Sequence, residues 1–307
     1  MSLSKYEAKR IGKKVKLAKS PPISEFPADV LKYMKENATP KQIIKSMNVI
    51  KYFIPKECPF TYFGNENFDE CAFLDENNLT IYTSGGIKYI LNDLPKNLGI
   101  SGKLSVLNGM ALPILISKII VCDIKILCLC TPRITFGEFK FLTASGKLKE
   151  LELIKTIIIW ENGIIVPYEI LLGHTPYLRF LKMTYNPQKR LSKKIVEKIC
   201  ELNLEILVLD RLTDDFKLES FLVVVAKKKP NLDIHIRFLC SVNTFRNINL
   251  YMDKVISSGF PASFPPHIDF CYMVFQPHVD CCCCNFHREA YENVRKAYRQ
   301  SHFNLIN

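Results

Sequence analysis

Long apolar runs are missing from this chain. The longest candidate, Ala111 to Val121, is interrupted by Pro113, Ser117 and Lys118, whereas a membrane-spanning helix needs ~20 apolar residues. Glycine is sparse, at 12 of 307 residues, and no GxxxxGK[ST], GxGxxG or GxSxG spacing occurs. That removes the phosphate cradles of nucleotide-binding proteins and the nucleophile elbow of serine hydrolases. The glycine pair in TSGGIK (Thr83 to Lys88) has the makeup of a tight turn. Histidines are few: His174 precedes Thr175-Pro176 and His235 falls in an alternating apolar segment, both places where a structural role is expected. Asp214 and Asp215 follow an apolar strand pattern and are expected to cap the next helix. No constellation of a nucleophile, base or acid is visible, so the expectation is a non-enzymatic protein without catalytic residues, cofactor or metal.

The first twenty residues, MSLSKYEAKRIGKKVKLAKS, are basic but have no apolar centre and no cleavage pattern, so no signal peptide is expected. The expected location is intracellular, in cytoplasm or nucleus. Twelve cysteines would suggest a disulfide framework only in a short secreted chain. Most of these lie in apolar stretches such as ILCLC and IRFLC and are expected to be reduced core thiols. The segment HVDCCCCNFH places His278, Cys281, Cys284 and His287 at spacings that zinc ligands use. Zinc modules separate two ligand pairs by a dozen or more residues, so four ligands in so small a loop argue against a metal site.

What the chain has is apolar material, 48% of its residues, and positive charge, +12 net. The first provides for a sizeable core. The second is spread over the leader, Lys227 to Lys229 and the stretch Arg288 to Arg299, with single lysines between. Dispersed lysines of this kind solvate a surface, and nucleic acid is a partner the charge allows without favouring it.

The folded part begins with a short helical unit, FPADVLKYMKENATPKQIIKSMNVIKYF (Phe26 to Phe53). Pro27 precedes a helix-period pattern in which Val30, Leu31 and Met34 share a face. Thr39 caps a second helix with Pro40 at its first position, and Ile43, Ile44 and Met47 form its apolar side. Val49, Ile50, Tyr52 and Phe53 continue the pattern to Pro55. About thirty residues cannot bury enough surface alone, so this unit is expected to dock on a neighbour or on another protein.

These residues resemble an F-box, the motif that joins a substrate receptor to the Skp-type adaptor of a cullin–RING ubiquitin ligase. Phe26-Pro27 sits at the family's leucine-proline pair and Asp29 at its acidic position. Thr39-Pro40-Lys41 matches the turn into the second helix, Ile43-Ile44 its leucine pair, and Phe53 the closing tryptophan. Lys35, Ala38, Ser46 and Asn48 depart from positions that are usually apolar. The resemblance implies adaptor contacts through Pro27, Val30, Leu31, Met34, Ile43, Ile44, Val49 and Phe53. Adaptor docking further requires Pro27, Leu31, Ile43 and Ile44 to stay partly available to a partner. The structural alternative is a helical cap on the domain behind it.

The remainder repeats an L-x-x-L-x-L triplet at Ile124-Leu127-Leu129, Leu148-Leu151-Leu153, Leu178-Leu181-Met183 and Leu204-Leu207-Leu209, with a looser copy at Leu232-Ile234-Ile236. Successive starts are 24, 30, 26 and 28 residues apart, close to the leucine-rich-repeat period, and Leu104 to Leu107 is a weaker earlier copy. Helix-period residues fill the intervals: Phe136, Phe139 and Leu142; Ile170 and Leu171; Ile195, Val196 and Ile199; Leu218, Phe221, Leu222 and Val225. Strand–helix units of this length stack into parallel strands backed by outer helices. This region resembles the irregular leucine-rich repeats of F-box proteins.

The expectation is therefore an α/β chain in four parts: a basic leader (1–22), an F-box-like helical unit (23–60), a curved leucine-rich-repeat-like solenoid (61–260) and an irregular, basic, cysteine-containing tail (261–307). Its expected function is that of a substrate receptor in a cullin–RING ligase, holding an unknown protein on exposed strand positions such as Lys149, Arg179, Lys182 and Glu205. A repeat scaffold unrelated to ubiquitin, or a basic nucleic-acid-binding solenoid, are the alternatives.

Overall fold

The computed structural model describes residues 27–37, 61–63, 71–76, 78–82, 87–94, 98–184, 192–213, 215–239, 241–258, 264–271 and 282–303. The protein is mixed α/β, with a large and mostly parallel sheet accompanied by helices. It divides into two compact units, one of Met1–Leu151 and Thr156–Tyr177, the other of Glu152–Lys155 and Leu178–Asn307.

In the first unit, helix α1 (Ala28–Asn37) stands where the first apolar helical pattern places one. Strands β1 (Thr61–Phe63), β2 (Cys71–Asp75), β3 (Asn78–Tyr82) and β4 (Ile87–Ile90) follow, then β5 (Leu98–Val106). β2, β3 and β4 form an antiparallel meander, whereas β1 and β2 pair with β5 in parallel. The solenoid expected from residue 61 onward is corrected here. The connections 76–77 and 83–86 are far shorter than the dozen or so residues a parallel crossover takes.

A short helix α2 (Leu112–Ile116) leads to β6 (Ile119–Leu129), which runs parallel to β5. Both strands are buried along almost their whole length. The ladder shifts by one residue at Gly102, whose φ of +72° is a conformation that only glycine adopts without strain. Beyond β7 (Arg133–Thr135), helix α3 (Phe136–Thr143) opens with a reciprocal cap. The Thr135 N–H donates to Glu138 Oε2 at 2.6 Å, and the Glu138 N–H donates to Thr135 Oγ1 at 3.2 Å. Phe136, Phe139 and Leu142 of this helix are buried as their spacing predicts. Strand β8 (Glu150–Leu153) has Glu150 and Leu151 in this unit and Glu152 and Leu153 in the second; β9 (Ile157–Ile159) then pairs in parallel with β7, and α4 (Tyr168–Gly173) closes the first unit. The inward residues of α4 are Leu171 and Leu172. Ile170, expected to face inward, is exposed because the helix has only six residues and one buried edge.

The second unit is a run of strand–helix pairs: β10 (Phe180–Thr184), α5 (Lys193–Glu201), β11 (Ile206–Leu212), α6 (Leu218–Lys228), β12 (Asp233–Leu239), α7 (Val242–Ser258), β13 (His267–Cys271) and α8 (Cys282–Phe303). The four strands are parallel and lie side by side in sequence order. Their register aligns the repeat positions: Leu181 pairs with Leu207 and Leu207 with Ile234, while Met183, Leu209, Ile236 and Ile268 form the next row. All of these side chains are buried. The missing residue in Leu232-Ile234-Ile236 does not disturb the rows, because Ile234 and Ile236 keep the two-residue alternation that points side chains to one face.

A bulge at Arg211, with φ +61°, shifts the β11 ladder so that Leu212 pairs with Phe238 and returns to the buried face. The backing helices turn Ile195, Val196 and Ile199, then Leu218, Phe221 and Val225, then Ile248, Met252 and Val255 inward. Leu222 is only half-buried. Lys217 precedes α6 at the N-cap position and makes no side-chain cap, and Asp215 instead accepts a hydrogen bond from the Thr213 hydroxyl, so the cap expected of Asp215 is corrected, while Asp214 lies outside the described residues.

The tail expected to be irregular is a second correction. Residues 267–271 form strand β13 and residues 282–303 form helix α8, which packs against α7. Tyr291, Arg295 and Tyr298 of α8 are buried, at the i, i+4, i+7 spacing of a single helix face.

Candidate recognition face

In the second unit, alternate strand residues that do not join the core present a second, polar face. Phe180, Lys182 and Thr184 of β10 lie beside Ile206, Val208 and Asp210 of β11. Asp233, His235 and Arg237 of β12, then His267 and Asp269 of β13, extend the same face. None of these side chains is buried. A hollow of about 230 Å³ opens on this face, lined by Phe180, Lys182, Val208, His235, Arg237, His267 and Asp269.

Charges on the face are matched between neighbouring strands. Lys182 Nζ lies 3.1 Å from Glu152 Oε2, and Arg237 lies 3.7 Å from Asp210 and 4.0 Å from Asp269. Of the strand positions expected to be exposed, Lys149, Arg179 and Glu205 are exposed and precede their strands, while Lys182 is half-buried within β10. Arg179 and Glu205 form a solvent-exposed ion pair at 3.3 Å.

One edge of the face is tied to α8 by a network that sequence reasoning missed. His235 Nε2 lies 3.3 Å from Asp233 Oδ2, and the His235 and His267 rings are 5.2 Å apart. His267 Nδ1 lies 3.0 Å from Glu292 Oε1, and protonated at Nδ1 it donates to that carboxylate. Arg295 Nη1 donates to Glu292 Oε2 at 3.0 Å, its Nε donates to Pro265 O at 2.9 Å, and its Nη2 reaches Asp233 Oδ1 at 3.4 Å. Arg299 adds a bond to Asp233 Oδ2 at 3.1 Å, and both guanidinium groups stack over Phe264. Tyr291 anchors the same helix by donating to Pro266 O at 2.7 Å.

Burial resists ionisation of Glu292, but the His267 hydrogen bond and the Arg295 charge outweigh it and hold its carboxyl down at about 2. Burial likewise opposes Asp233, and the His235 hydrogen bond with the His235, Arg295 and Arg299 charges depresses it below the usual carboxylate value. Burial pushes Tyr251, beside Tyr291, up to about 12. The partners lie 62 residues apart in sequence for Arg295 and Asp233, so no local pattern announces the network. The available signal was the helical spacing of Tyr291, Val294 and Tyr298, masked by the basic composition around it.

Of the residues implied as adaptor contacts, Pro27, Val30, Leu31 and Met34 lie in or next to α1; Ile43, Ile44, Val49 and Phe53 lie outside the described residues. Val30 and Met34 are 38% and 39% exposed, whereas Leu31 is 3% exposed. The expectation that Leu31 stays available is corrected: it is an anchor to its own chain, and one helix presents Val30 and Met34 outward while inserting Leu31. Tyr33, which the sequence comparison did not single out, is 67% exposed on the same helix.

The face has hydrogen-bond donors, acceptors and apolar ground side by side. Among the described residues no group of three His, Cys, Asp or Glu side chains converges as a metal site. His278 and Cys281 lie outside the described residues, and Cys284 and His287 fall in the first turns of α8. Among the described residues no helix is long and apolar enough to cross a membrane. Of the cysteines, Cys122 is a core thiol, pushed up to about 12 chiefly by burial, while Cys71, Cys128, Cys130 and Cys200 are only half-buried. They are free thiols, and the expectation that they sit in the core is corrected for those four: Cys71 and Cys128 lie on the less covered side of their strands, Cys200 near the end of α5 and Cys130 just past the end of β6. No protein-family model, no curated protein and no solved structure matches the chain.

Proposed function

We propose that this protein is a non-catalytic substrate receptor. In this reading an F-box-like unit at residues 23–60 engages a Skp-type adaptor and a leucine-rich-repeat-like solenoid holds a target protein on its polar strand face. The observation that carries the reading is the alignment of the repeat positions, Leu181 with Leu207 and Ile234, in sequential parallel strands. Such stacking frees every second residue of each strand for recognition. The charge-matched face, with its hollow over Phe180 and Val208, fits a partner surface that mixes apolar and hydrogen-bonding groups. Catalysis would be proximity alone: one chain holds the target beside transfer machinery that other subunits supply.

The burial of Leu31 favours a second reading, in which α1 is a cap and the protein is a repeat scaffold with no ligase partner. Co-purification of the full chain with a Skp-type adaptor separates the two. The receptor reading expects the wild type to retain adaptor and V30K/M34K to lose it with an unchanged melting curve, because both side chains are already exposed. A wild-type chain that fails to retain adaptor refutes the receptor and leaves the scaffold.

A further inference from the structure

Strand β6 ends at Leu129, and the Cys130 N–H carries its hydrogen bonding to β5 one residue further, so Cys128 and Cys130, two residues apart, turn their thiols to the same face. Leu127 and Leu129 fill the core on the other side, while Cys128 and Cys130 are half-buried, and their sulfur atoms lie 3.5 Å apart with no disulfide between them. Two residues of extended strand span about 6.6 Å, near the upper end of the separation a disulfide bridges. The thiols therefore converge where the backbone allows a bond under strain, and strained disulfides are the readily reduced ones.

We propose that Cys128 and Cys130 form a redox couple, closing to an intrachain disulfide by exchange with a small disulfide of the glutathione class. One thiol loses its proton and attacks a sulfur of the small disulfide, releasing the first small thiolate and leaving a mixed disulfide on the protein. The second protein thiolate attacks the first cysteine's own sulfur, forms the Cys128–Cys130 bond and expels the second small thiolate. Two electrons pass from the protein to the small disulfide, and the two protons given up by the cysteines leave on two small thiols.

Closure draws Cys130 inward, and that movement has a recipient. The Cys130 N–H donates to Val106 O at 2.8 Å, and the adjoining Thr131 Oγ1 accepts from the Gly109 N–H at 2.9 Å. Gly109 is packed so closely that a Cβ there would lie 2.6 Å from Arg133 O and 2.8 Å from Thr131 Oγ1. The turn Gly109–Ala111, which carries the 88% exposed Met110, is thus clamped by the strand end that the disulfide would displace.

The test exploits Lys125 and Arg133: trypsin releases Ile126 to Arg133 with Cys128 and Cys130 as its only cysteines. Reduced full-length protein is equilibrated in glutathione buffers of rising oxidised fraction, quenched with an alkylating reagent, digested and weighed. The peptide should lose two hydrogens, resist alkylation and revert with dithiothreitol, and C128S and C130S should each hold glutathione on the remaining cysteine. Oxidation should also speed amide exchange in the peptide covering Leu107 to Leu112. The redox couple is overturned if both cysteines are alkylated, or if each carries its own glutathione, in the most oxidising buffer. Unchanged exchange in the bridged protein would overturn the coupling to the turn.

Discussion

Leu207 is the residue on which the repeat register can be tested most directly. It is fully buried in β11, with Leu181 paired on one side and Ile234 on the other. Leu207→Ala removes three carbon atoms from water-free surroundings, a transfer loss of about 2.5 kcal/mol at ~0.8 kcal/mol per methylene. The flanking rows belong to hydrogen-bonded strands that cannot slide inward, so a cavity remains and brings the expected loss to about 3–5 kcal/mol. Val208, the next residue, points to the polar face and is half-buried. Val208→Ala should cost about 1 kcal/mol or less, because the shortened side chain leaves open surface and not a sealed void. Urea unfolding followed by far-ultraviolet circular dichroism gives both values. Equal destabilisation by the two variants, or a larger effect of Val208→Ala, would refute the two-faced strand and with it the receptor face.

Two further outcomes follow from local chemistry. Glu292 is held down at about 2, below the ordinary carboxylate value of 4.5, so it binds its proton more readily in the unfolded chain. Its stabilisation is complete above about pH 4.5 and is lost as pH falls towards 2, on the order of 3 kcal/mol at most; Glu292→Gln should flatten acid unfolding in that window, and an unchanged acid transition would contradict the network. Thr135→Ala removes the oxygen that accepts the Glu138 N–H at the start of α3 and should cost about 1 kcal/mol in urea unfolding, with Thr135→Ser restoring most of it; full stability of the alanine variant would show the cap to be idle.

The repeat triplets were legible because their information is local. Alternation over Leu207 and Leu209, or over Ile234 and Ile236, selects a strand with one buried face, and spacings of 24 to 30 residues leave room for one backing helix each time. The helices of these intervals were legible for the same reason, down to the inward set Ile195, Val196 and Ile199. Where an element is too short to average its pattern, as in α4, the inward residue was misplaced from Leu172 to Ile170.

Tertiary structure alone decided the rest. The meander β2–β4 depends on which strands meet, and hydrogen bonding between strands has no signature in either strand by itself. Leu31 and Val30 are equally apolar in sequence, yet one is buried and the other exposed, since only the neighbouring chain determines which side of a short helix is covered. Arg295 is charged, lies among basic residues and reads as surface, but it is buried because Asp233 and the Pro265 carbonyl reach it from distant parts of the chain and join Glu292 of its own helix. Periodicity along a chain determines which residues can share a face; which face is covered, and which charges find partners there, depends on contacts between segments that no local pattern encodes.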